Sequence, residues 1–97
     1  MSYRLLIVED TPELLEAISV FFREEGAGLW EIVVSSNGND ALDKVNSEEF
    51  DLMILDIMLP GASGFDICKA ARKRGDCPII FLTALGAENE IMKGYDC

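Results

Sequence analysis

Leu52-Met53-Ile54-Leu55-Asp56-Ile57-Met58-Leu59-Pro60-Gly61 decides how the chain folds. Four apolar residues run into one carboxylate, and a proline and a glycine then close a turn. A continuous apolar run this short reads as a strand buried on both faces, the pattern of a parallel sheet covered by helices. Asp56 then emerges at a strand's carboxyl end, the edge of an open α/β sheet along which ligands sit. Asp also caps turns, so this stretch alone leaves a structural and a chemical role open.

Two further stretches repeat the design. Arg4-Leu5-Leu6-Ile7-Val8 is followed by Glu9-Asp10, and Pro78-Ile79-Ile80-Phe81-Leu82 by Thr83-Ala84. As parallel neighbours, these strands bring Glu9, Asp10, Asp56 and Thr83 to one patch. Three carboxylates packed closely repel one another, so either one holds a proton or a cation sits among them. Carboxylate oxygens with room for water suit Mg²⁺.

This set of residues resembles the receiver domain of two-component response regulators. The resemblance covers essentially all 97 residues. It is carried by Glu9-Asp10 after the first strand, Asp56 with Pro60 and Gly61 after the third, Ser63-Gly64 opening the next helix, and Thr83-Ala84 after the fourth. It implies a three-layer, doubly wound parallel sheet of flavodoxin-like order 2-1-3-4, in a single domain spanning 1–97. The family's fifth strand and last helix are expected to be missing, making the domain an incomplete, carboxy-terminally truncated receiver.

Composition agrees with one small domain: 49% hydrophobic and 27% charged residues. The net charge of −10 repels a phosphate backbone, and no basic stripe with interleaved aromatics offers itself to nucleic acid. No run approaches a membrane span, and the amino terminus lacks a signal-peptide profile. The expected location is therefore cytoplasmic, with no direct contact to nucleic acid or membrane. Cys68, Cys77 and Cys97 are odd in number and widely spaced, which favours reduced, structural thiols over a disulfide framework or a zinc site.

Along the chain, Thr11 is placed to cap a helix over 12–25 that begins with Pro12. Leu14, Leu15, Ile18, Phe21 and Phe22 recur in it at helical spacing, and Gly26 follows as a stop. Residues 29–35 read as a second strand, with Trp30 partly in the core. Ser36-Asn37-Gly38 then turns or caps a short helix built on Ala41, Leu42 and Val45. Asp40 and Asp43 in that helix complement its dipole rather than bind metal. Ser63 with Asp66 forms a capping box for a third helix starting near Gly64. Lys69, Arg72, Lys73 and Arg74 crowd the end of that helix, where cations oppose the negative terminus. Ile91, Met92 and Tyr95 fall at helical spacing over 86–95, which places both Lys69 and Lys93 in expected helices.

The resemblance implies a role for each site residue. Asp56 is the phosphoacceptor. Glu9, Asp10 and Asp56 hold Mg²⁺ with the Met58 backbone carbonyl. The Ile57 and Ala84 amides contact phosphoryl oxygens, and Thr83 contacts the phosphoryl group and acts as the switch. The partner is a sensor histidine kinase or a phosphotransfer protein; the chain has no histidine and cannot itself be that donor. It is thus a signalling phosphoacceptor rather than an enzyme, with at most self-phosphorylation and self-dephosphorylation. The lysine that follows the family's fifth strand has no counterpart, nor has the aromatic switch residue on that strand, for which Tyr95 is no substitute. An apolar edge left open on the fourth strand is expected to drive self-association or strand donation. Three rivals stand beside this reading. An aspartate-nucleophile phosphatase needs an acid two residues after the nucleophile, where this chain has Met58. A flavodoxin-like carrier needs a Ser/Thr/Gly-rich loop after the first strand. A receiver-like interaction module without phosphotransfer needs neither.

Overall fold

The computed structural model describes residues 2–82 and the backbone of the strand Ile91–Lys93. The elements are β1 (Tyr3–Val8), α1 (Pro12–Glu25), β2 (Trp30–Ser35), α2 (Gly38–Ser47), β3 (Leu52–Asp56), α3 (Gly64–Arg72), β4 (Ile79–Leu82) and β5 (Ile91–Lys93). The sheet order is β2-β1-β3-β4-β5. The four longer strands are parallel and follow the expected order 2-1-3-4.

Alternation along the strands builds a core on each face of the sheet. Leu6, Val8, Met53, Leu55, Ile79 and Phe81 pack with Ala41 and Val45 of α2 and with Ile67, Cys68 and Ala71 of α3. Leu5, Ile7 and Ile54 face the other way, with Leu15, Ile18 and Phe22 of α1 against them. Both faces of β1 and β3 are thus covered, which is why their apolar runs are unbroken rather than alternating. Trp30 joins this second layer, edge-on to Phe22 at 5.6 Å between ring centroids.

The α1 layer leaves apolar surface open. An open groove of about 310 Å³ is lined by Ala17, Ile18, Phe21, Phe22, Ile54, Ile80 and Leu82. Phe21 beside it is 58% exposed.

Four expectations are corrected. Ile91–Lys93 is not helical but a strand antiparallel to β4, with Phe81 opposite Met92 and Leu82 opposite Ile91. Adjacent apolar residues fit either period, and the free N–H and C=O groups along β4 decide between them. Strand donation at a bare β4 edge loses its footing for the same reason, because β5 lies there. Lys93 is still no stand-in for the family's lysine, since the antiparallel register sets it opposite Ile80, away from the carboxyl edge. Thr11 occupies the α1 cap position without a side-chain cap bond; its own N–H donates to Glu9 Oε2 at 3.0 Å. Finally, Cys77 is free, but Cys68 is disulfide-bonded, because an odd cysteine count does not exclude a single bridge.

The expected caps of the other helices form. Asn37 Oδ1 accepts from the Asp40 N–H at 2.8 Å. Ser63 and Asp66 make a reciprocal capping box on α3. At the sheet's amino end, Arg4 donates to Glu48 Oε1 at 2.6 Å and to the Glu49 carbonyl at 3.1 Å, with its guanidinium over the Phe50 ring. This cluster ties β1 to the turn before β3.

Candidate functional site

Parallel register assembles the site. Val8 pairs with Leu55, so the residues that follow them, Glu9 and Asp56, leave adjacent strands at the same edge. Glu9 is 3% exposed and Asp56 2%, while Asp10 faces solvent. One carboxylate oxygen from each of Glu9, Asp10 and Asp56 lies within 4.8 Å of the other two.

Electrostatics at this edge are unfavourable to three free carboxylates. Burial, the dominant cause, pushes the Asp56 carboxyl up to about 6, and the negative charges of Glu9 and Asp10 push the same way. The Met58 N–H opposes them by donating to Asp56 Oδ1 at 3.2 Å. Glu9 is oriented by the Thr11 N–H and, through its own N–H, by the Ser35 carbonyl at 3.1 Å. Among the described residues the donor set is all oxygen and its three carboxylates converge on one point. These residues fit a hard divalent cation such as Mg²⁺.

The loop after β3 is clamped under the site. Ile57 N–H donates to the Leu82 carbonyl at 3.3 Å, prolonging the β3–β4 ladder past Asp56. This is the amide expected to contact a phosphoryl oxygen; here it serves the sheet, while the amide that reaches the Asp56 carboxylate is that of Met58. Gly64 N–H donates to the Ile57 carbonyl at 3.2 Å. A methyl group on Gly64 would overlap the Asp56 carbonyl oxygen, so α3 begins at a residue without a side chain in order to reach the strand end. The Met58 side chain points outward, 63% exposed. Asp56 is the ladder partner of Leu82, the residue before Thr83. Thr83 and Ala84 themselves lie outside the described residues, as does Tyr95.

Sequence reasoning brought Glu9, Asp10, Asp56 and Met58 to this edge, and the structure groups them. It missed the backbone donor at Thr11 and the close approaches at Gly64 and Gly38. Asp40, set aside as a ligand, is bound elsewhere: Ser35 and Lys44 hydrogen-bond to it and hold its carboxyl below the usual range.

Comparison with known proteins gives a consistent result. The family described as the response regulator receiver domain matches residues 5–97. A curated relative, the transcriptional activator protein PfeR of Pseudomonas aeruginosa, is 38% identical over 94 residues, covering 97% of this chain and 30% of its own length. The chain therefore spans less than a third of that relative. Among solved structures, the response regulator protein TrrA from Thermotoga maritima, in complex with Mg²⁺-BeF, is 41% identical with a TM-score of 0.75, over 89% of this chain and 72% of TrrA. The BeF3-activated N-terminal receiver domain of RstA from Klebsiella pneumoniae is 33% identical with a TM-score of 0.74, over 88% of this chain and 70% of that one. Matched over nearly its whole length, and with its acidic residues gathered where parallel strands end, this chain belongs to the response regulator receiver domain family.

Proposed function

We propose that this chain is a phosphoacceptor: Asp56 takes a phosphoryl group from a phosphohistidine on a sensor histidine kinase or a phosphotransfer protein. The observation that carries the reading is the convergence of Glu9, Asp10 and Asp56 oxygens within 4.8 Å at the carboxyl edge of β1 and β3. In the transfer, an Asp56 carboxylate oxygen forms a bond to phosphorus as the phosphorus–nitrogen bond breaks. The imidazole leaves with that electron pair, and the product is an acyl phosphate.

Glu9, Asp10, Asp56 and the Met58 carbonyl would hold Mg²⁺. Bound there, the ion supplies positive charge against the phosphoryl oxygens, the main requirement of this chemistry. The chain's own groups do the positioning. Met58 N–H holds one Asp56 oxygen, leaving the other to attack. Thr83 and the Ala84 amide complete the phosphoryl contacts, and Thr83 couples the added charge to the segment after β4. The apolar groove beside α1 adds a second element: at high concentration the chain self-associates through it, and sedimentation equilibrium finding only monomer removes that element.

The test is incubation with Mg²⁺ and acetyl phosphate, read by intact mass. Wild type gains one phosphoryl group and Asp56→Asn none. Label that survives Asp56→Asn, or a wild type that takes none, defeats the reading.

A further inference from the structure

We infer that the β2–α2 corner, residues 35–40, positions the Asp56 site, with Gly38 as its principal positioning residue. The inference rests on reading Asp56 as the phosphoacceptor. Met58, whose amide reaches Asp56 Oδ1, is carried by the loop over 57–63. That loop is seated on the first turn of α2. Gly38 N–H donates to the Pro60 carbonyl at 2.9 Å. A methyl group at position 38 would overlap the Ala62 carbonyl oxygen and crowd its backbone nitrogen and carbonyl carbon. Backbone cannot swing aside as a side-chain tip can, so the loop itself would have to move. Beside this contact the Asn39 side chain packs on Gly61, where an added methyl would come 3.0 Å from Nδ2.

The same corner holds the other side of the site. The Ser35 carbonyl accepts the Glu9 N–H at 3.1 Å. The Ser35 hydroxyl lies 3.0 Å from the Asn37 carbonyl and 2.7 Å from Asp40 Oδ2, which ties the strand end to the helix start. Glu9 and Met58 flank Asp56, and both hang from this one corner. A glycine inside a helix is disfavoured relative to alanine. At position 38 that disadvantage is offset by close approach, and the close approach sets where the Met58 amide and carbonyl stand.

This reading separates from a merely structural one. If Gly38 only begins a helix, Gly38→Ala improves helix propensity and leaves the site untouched. If Gly38 positions the loop, Gly38→Ala displaces Met58. The experiment compares wild type and Gly38→Ala for acetyl phosphate labelling across donor concentrations, and for amide chemical shifts in ¹⁵N-labelled protein. The expected result is a maximal labelling rate lower by about tenfold or more. The donor concentration for half-maximal rate stays unchanged, and amide shifts move at Met58, Gly61 and Ala62 while those of β1 interior residues stay. Wild-type rate with unmoved Met58 shifts overturns the inference. A wild type that takes no label defeats the phosphoacceptor reading instead, and the Met58 amide then decides the positioning claim alone. Should Gly38→Ala fail to fold, Asn39→Ala carries the test: the same amides move and the maximal rate falls about threefold, or the inference is overturned.

Discussion

Replacing Asp56 by asparagine should stabilise the chain when no metal is bound. The side chain is nearly inaccessible, and its carboxyl is moved from 3.8 to about 6, chiefly by burial. At roughly 1.4 kcal/mol per tenfold change in proton affinity, holding that carboxylate ionised in place costs about 3 kcal/mol. Between pH 3.8 and about 6 the folded chain binds more protons than the unfolded one, so stability falls as pH rises through this window and is level above it. Asparagine keeps the shape and an oxygen for the Met58 N–H but carries no charge. The shift to about 6 already includes the opposing pull of that bond, so the gain is about 3 kcal/mol at pH 7.5, or about 15 °C in Tm for a domain this size. Urea denaturation in EDTA at pH 7.5, 6 and 4, with far-ultraviolet circular dichroism as the signal, measures it directly. The gain should shrink toward zero at the lowest pH, where wild-type Asp56 is neutral in the folded state as well. Asp56→Asn that is neutral or destabilising at pH 7.5, or a gain that does not vary with pH, would refute the account of a carboxylate held against its own burial.

The remaining predictions concern the metal and the scaffold. Mg²⁺ at about ten times its Kd should stabilise wild type by about 1.4 kcal/mol and leave Asp56→Asn and Glu9→Gln nearly unmoved in a thermal shift series. Arg4→Ala removes the partner of Glu48 and the cation over Phe50 at the far end of the sheet. It should lower urea stability by about 1–2 kcal/mol without changing the response to Mg²⁺. Ser63→Ala breaks the α3 capping box and should cost about 1 kcal/mol by the same assay.

What could be read in the sequence follows from how local each signal is. The unbroken runs of β1 and β3 announce strands covered on both faces, and parallel pairing then makes Glu9 and Asp56 neighbours. Ser63 and Asp66 announce α3 because a capping box needs only four consecutive residues. Thr11 takes the cap position its type announces but makes no side-chain cap bond, and its N–H goes to Glu9 instead, a brace for a site carboxylate that residue type does not reveal. Ile91 and Met92 carry too short a pattern to set a period, and the unpaired edge of β4 decides their conformation from outside. Arg4 gave no signal at all, since its partners lie more than forty residues away at Glu48 and Glu49.

The carboxylates are legible because each sits where a strand stops, but what holds them in working order is not. Glu9 and Asp56 are near neighbours of like charge, so the arrangement persists only if the backbone around it is stiff. That stiffness comes from contacts between segments distant in sequence: Gly38 against Pro60 and Ala62, and Ser35 against Glu9. Gly64 against Asp56 does the same across the short loop. Gly38, Gly64 and Ser35 carry no chemistry themselves, and a glycine at a helix start looks the same whether it meets solvent or another backbone. Charge chemistry can therefore be inferred from residue type and spacing, whereas the geometry that makes the charges useful is written in residues chosen for what they lack.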